Sequence, residues 1–105
     1  MYNKLVRDNI PDIIRANGEE PIVHVLDEVD YKSELERKLL EEANEVIESG
    51  GIDRIYELAD LMEVVHALLE LEKKTMEDVE NARVEKASKR GGFTKRLYLE
   101  GVKEN

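Results

Sequence analysis

A mainly α-helical fold, an antiparallel helical bundle with a small β ribbon, is what three features of this 105-residue chain predict. Two long stretches, from Asp27 or Asp30 to Ser49 and from Asp53 to about Lys73, repeat apolar residues at helical spacing. Only two short runs, 22–27 and 95–99, have the β-branched or aromatic enrichment of strands. The connections between these segments are short, which favours antiparallel neighbours.

Taken in order, residues 8 to 17 form a short helix, with Asp8 or Asn9 as its cap, Pro11 in its first turn and Gly18 as its stop. Ile22-Val23-His24-Val25-Leu26 follows Pro21 as the first ribbon strand, and Lys95-Arg96-Leu97-Tyr98-Leu99 is its expected partner. In the long helix, Leu35, Leu39, Ala43, Val46 and Ile47 share one arc, and Gly50-Gly51 ends it. The next helix is apolar over most of its circumference, from Ile55 to Leu71, and is expected to be the central, most buried one. Thr75 caps a last helix through about Lys89, which stops at Gly91-Gly92.

Composition narrows the function. Twenty-five acids against sixteen bases leave a net charge of -9, which repels a polyphosphate backbone, so no nucleic-acid polymer is expected as a partner. The absence of cysteine removes disulfides, thiolate metal sites and thiol nucleophiles. The most apolar stretch is broken by Glu57, Asp60, Glu63 and His66, so no membrane span is expected and the expected location is cytoplasmic. The length fits one domain, 1–105, with a thin aliphatic core that invites self-association.

The chemistry lies in the carboxylates. Glu41-Glu42-Ala43-Asn44-Glu45 and Glu57-Leu58-Ala59-Asp60 each place two acids at i and i+3, about 60° apart on a helix, where they converge on one ion. Two such helices facing each other offer four oxygen donors, Glu42, Glu45, Glu57 and Asp60, the ligand type that Mg²⁺ and Mn²⁺ take. Acids three apart also decorate the wet face of any charged helix, and Lys38, one turn before Glu42, makes an ordinary i,i+4 pair there. Glu57 and Asp60 are harder to explain that way, because Val64, Ala67 and Leu71 continue their stripe inward. An unpaired buried carboxylate costs several kcal/mol and asks for a cation, a basic partner or water.

Near the C-terminus, Lys89, Arg90 and Lys95 flank a Gly-Gly pair, a combination of cations and flexible backbone suited to phosphate. The same residues also oppose the negative end of the last helix. His24 and His66 lack a second ligand at metal spacing and read as structural, and there is no Gly-rich phosphate loop of either common type.

Glu41-Glu42-x-x-Glu45 and Glu57-x-x-Asp60, with eleven residues between Glu45 and Glu57, resemble the EExxE…ExxD motif of the MazG-like branch of the all-α nucleoside triphosphate pyrophosphohydrolases, a group that includes relatives of phosphoribosyl-ATP pyrophosphohydrolase. The opening YNKLVRDNIPDII and the tail KRGGFTKRLYLEGV also look like a small single-domain subgroup of that family. The resemblance implies a helical dimer or tetramer, Mg²⁺ dependence, and cleavage of a nucleoside triphosphate between its α- and β-phosphates. It implies Glu42, Glu45, Glu57 and Asp60 as metal ligands, and Glu41 as a catalytic residue that binds a second ion or orients the attacking water. Lys38 has no motif counterpart and is added as a second catalytic candidate; Lys89, Arg90 and Lys95 are the substrate-binding candidates. A metal ion also answers how a protein of charge -9 holds a triphosphate, since it inverts the local sign.

The leading expectation is therefore a Mg²⁺-dependent pyrophosphohydrolase, with Mn²⁺ as a substitute, that releases a nucleoside monophosphate and pyrophosphate, with house-cleaning of non-standard nucleotides as its role. The alternatives are a phosphoribosyl-ATP pyrophosphohydrolase-like enzyme and a non-catalytic oligomerisation or regulatory module whose acids only solvate the helices. Convergence of the carboxylates favours the enzyme; splaying into solvent favours the module.

Overall fold

The computed structural model describes residues 3–104; Tyr2, part of the opening motif, lies outside them. Among the described residues the protein is all-helical, with α1 (Ile10–Ala16), α2 (Glu28–Glu48), α3 (Gly51–Leu71) and α4 (Met76–Arg90). It divides into two compact units at the Lys74–Thr75 junction, the first holding α1 to α3 and the second α4 and the C-terminal segment.

Local chemistry accounts for the helix ends. α1 closes in a Schellman arrangement: Gly18, at φ 85°, donates its N–H to Arg15 O at 3.0 Å while Glu19 N–H reaches Ile14 O at 3.2 Å. Of the two aspartates that could cap α2, Asp27 does so, its Oδ1 accepting from Asp30 N–H at 2.8 Å. Ser49 and Gly50 alone separate α2 from α3, so the two form a helical hairpin packed along its length. Gly51, at φ 58°, takes the left-handed turn of this link, and α3 starts there, two residues ahead of Asp53. At its other end α3 repeats the Schellman closure around Lys73, which holds φ 58° without the relief of glycine and forces the helix to stop at Leu71. α4 opens with a complete capping box, Thr75 Oγ1 accepting from Asp78 N–H and Asp78 Oδ2 accepting from Thr75 N–H, and ends at Gly91.

The core of the first unit is the α2–α3 seam. Leu35 from α2 and Val64 from α3 are its most buried apolar residues, at 3% and 5% exposure. Among the described residues the third buried to this degree is a carboxylate, Glu42 at 7%, which sits about two turns from Leu35 along the same ridge. Ile47, expected on the buried arc, falls at the edge of the seam and is exposed. α3 differs from expectation in the same way, since Ile52, Ile55 and Tyr56 are exposed to solvent.

The expected β ribbon is absent among the described residues, which contain no strand. Ile22 and Val25 are fully exposed, and so are Leu97, Tyr98 and Leu99 for the most part. The second run is broken from within: Arg96 takes φ 60° and its N–H closes a turn on Phe93 O at 3.1 Å, so Lys95 and Arg96 belong to a turn. β-branched and aromatic content favours a strand only where a partner edge covers it.

Candidate metal centre

The hairpin places Glu42 of α2 opposite Glu57 and Asp60 of α3, which lie one turn apart on the stripe that runs on to Val64. Each contributes one carboxylate oxygen to a group whose members all lie within 4.8 Å of one another. Glu42 is buried, and Glu57 and Asp60 are half-buried.

Two cations stand against this group. Lys38 Nζ lies 3.5 Å from Glu42 Oε1, one helical turn away on α2, and Arg7 Nη2 lies 2.7 Å from Asp60 Oδ1. They leave part of the negative charge unanswered. Glu42 Oε2 and Glu57 Oε2 are both buried without a hydrogen-bond partner, the situation that ordinarily costs a folded protein stability. Burial pushes the Glu42 carboxyl above the usual carboxylate range, and the nearby Glu45 and Asp60 carboxylates push it further the same way, against the opposing pull of Lys38. A divalent cation held among these carboxylates would supply the positive charge that the group lacks. The donor set, all carboxylate oxygen, suits a hard divalent cation.

The remaining sequence candidates are not members of this three-carboxylate group. Glu45 is exposed, stands outside the three-carboxylate group, and lines an open cleft of about 370 Å³ with Glu48, Ser49, Asp53, Tyr56 and Glu57. Glu41 faces a second cleft of about 270 Å³, walled by Lys4, Arg37, Lys38 and Glu34. Lys38 thus touches both the cleft and the carboxylate group. Lys89, Arg90 and Lys95 belong to the second unit, where all three are exposed and Lys89 pairs with Glu85 at 3.1 Å. His24 and His66 are exposed.

Sequence reasoning missed Arg7. Nothing in helical periodicity links it to Asp60, 53 positions away. The available signal was its place in the opening segment YNKLVRDNIP, which joins the acidic motifs in the resemblance.

No family model matches the chain, and no solved structure matches it significantly. An uncharacterized protein of Mycolicibacterium smegmatis is 44% identical over 43 residues, a stretch that covers 41% of this chain and 44% of that relative. The match thus spans less than half the length of either protein. No helix among the described residues is long and apolar enough to cross a membrane.

A pH-dependent stability difference follows from the raised Glu42 carboxyl. Its protonated form is favoured by folding, so its ionised form costs stability above the raised pKa, and that cost fades as pH falls toward the usual carboxylate range. Without metal at neutral pH, Glu42→Gln is expected to be more stable than wild type by about 1 kcal/mol. Urea melts at a series of pH values should show the gap closing on acidification, and adding Mg²⁺ at neutral pH should reverse the order of the two proteins.

Proposed function

We propose that the protein is a Mg²⁺-dependent nucleotide pyrophosphohydrolase, which cleaves a nucleoside triphosphate between its α- and β-phosphates to give a monophosphate and pyrophosphate. The observation that carries this reading is the buried group of Glu42, Glu57 and Asp60 with two oxygens lacking partners. Acids that merely solvate a helix do not give up hydration in this way. The motif resemblance supplies the reaction, and the geometry agrees with it in putting both motifs on facing helices of one hairpin.

Bound there, Mg²⁺ supplies positive charge against phosphate oxygens and Lewis acidity toward the attacking water. The chain's own part is positioning. Burial and Lys38 fix Glu42 at the centre of the group, and the one-turn spacing of Glu57 and Asp60 presents two more oxygens from a single rigid helix. Glu45 lines the adjoining cleft and lies within electrostatic reach of Glu42, and in this reading it acts as a further ligand or a guide for substrate. Hydrolysis consumes one water and needs no covalent intermediate on the protein.

The bundle is completed in this reading by a second copy of the chain. α3 leaves Ile52, Ile55 and Tyr56 exposed beside the half-exposed Leu58 and Met62, and a two-fold pairing of hairpins through that face buries them. Sedimentation at low micromolar concentration should report a dimer or larger; a folded, active monomer contradicts the assembly.

The activity is checked by incubating the protein with a panel of nucleoside triphosphates and Mg²⁺ and separating the products. Monophosphate with pyrophosphate is the expected pair. Orthophosphate with diphosphate refutes the cleavage position. Asp60→Asn should reduce turnover at saturating Mg²⁺ by at least about 100-fold, the scale of losing a group that stabilises the transition state.

A further inference from the structure

An ion pair, Arg7 Nη2 to Asp60 Oδ1 at 2.7 Å, ties the irregular segment ahead of α1 to the carboxylate group. The two cations at the group are held very differently. Lys38 sits on the same helix as Glu42, and its side chain is only 20% exposed, so it stays wherever α2 stays. Arg7 is on a non-helical segment, its side chain is 55% exposed, and its partner lies 53 residues away. A pair this exposed shifts an equilibrium by no more than about 5-fold, so a divalent ion entering the group displaces it at little cost. A guanidinium and a divalent ion also repel each other across one carboxylate, and a bound metal therefore weakens the pair that Arg7 makes.

The segment that carries Arg7 also carries Lys4, which lines the cleft of about 270 Å³ together with Arg37 and Lys38. A guanidinium released from Asp60 thus belongs to a stretch of chain that already contributes positive charge beside the site. Its planar fork matches phosphate oxygens in pairs, which an ammonium does not.

We propose that Arg7 is the internal counter-cation of the carboxylate site: it holds Asp60 in the metal-free protein, yields that carboxylate to a divalent ion, and then turns its guanidinium to the phosphate chain of the substrate. The last step rests on the pyrophosphohydrolase reading; the exchange with metal does not. In this role Arg7 is a positioning residue in the metal-free state and a phosphate ligand in the loaded one.

The test is calorimetric titration of the full chain with Mn²⁺, followed by titration of the Mn²⁺-saturated protein with inorganic pyrophosphate, for wild type, Arg7→Ala and Arg7→Gln. Circular dichroism checks that each variant is folded, and Arg7→Gln keeps a hydrogen-bonding side chain that is shorter and uncharged. Both variants are expected to bind Mn²⁺ about 2- to 5-fold more tightly than wild type, the range an exposed ion pair allows. Both should bind pyrophosphate at least about 5-fold more weakly, as loss of a charged hydrogen bond implies. Equal or weaker Mn²⁺ binding by the two variants overturns the exchange while leaving the metal site and the proposed activity standing. Tighter Mn²⁺ binding with unchanged pyrophosphate affinity overturns the handover to phosphate. Failure of wild type and variants alike to bind Mn²⁺ overturns this inference and the pyrophosphohydrolase reading together.

Discussion

The unit built from α1 to α3 depends on a conflict at its seam. Leu35 and Val64 close the α2–α3 hairpin by ordinary apolar burial, yet the ridge that carries Leu35 also brings Glu42 into the interface, facing Glu57 and Asp60. Any sequence selected for packing alone would place a leucine at Glu42, where volume is needed and hydration is denied. The apolar seam thus holds together a group of like charges that would otherwise separate into water, and the two oxygens left without partners measure how incompletely the protein neutralises them. Lys38 and Arg7 reduce the repulsion without removing it. A divalent cation is the partner whose charge and coordination preference match what is missing.

The hairpin's shortness is what makes this arrangement rigid. A link of Ser49 and Gly50, with Gly51 taking positive φ, leaves α2 and α3 little freedom to slide. Register is then set by the seam, so Glu42 meets the turn containing Glu57 and Asp60 and no other. Capping, glycine placement and helical periodicity therefore reach the site directly, through the position at which two helices are made to turn back on each other. The same economy leaves apolar residues of α3, Ile52 and Ile55 among them, exposed to solvent.

Much of this was legible in the residues themselves. Asp27, Thr75, Gly18 and Gly91 announce helix ends because side-chain capping and positive φ are local requirements. The pairing of Glu57 with Asp60 was visible because both lie on a stripe that continues in Val64, Ala67 and Leu71. Other features depend on which surfaces meet, and periodicity does not fix that. The arc drawn through Ile47 was one position too wide, since α3 covers the ridge containing Glu42 and leaves Ile47 outside. Propensity suggested strands at 22–27 and 95–99, but the turn at Phe93–Arg96 consumes the start of one and the other stays solvated. Arg7 was illegible for a different reason: a contact spanning 53 residues leaves no periodic trace.

The central claim is that Glu42, Glu57 and Asp60 are kept together for a divalent ion. Thermal unfolding with and without millimolar Mg²⁺ tests it most directly, comparing wild type with Glu57→Gln. A ligand that binds only the folded state stabilises it by RT times the logarithm of one plus the ratio of free ligand concentration to Kd, and so raises the melting midpoint. The account predicts that Mg²⁺ raises the wild-type midpoint by several degrees and that most of this rise is lost in Glu57→Gln, whose metal-free midpoint equals or exceeds that of wild type. An equal rise in both proteins, or none in wild type, would contradict it.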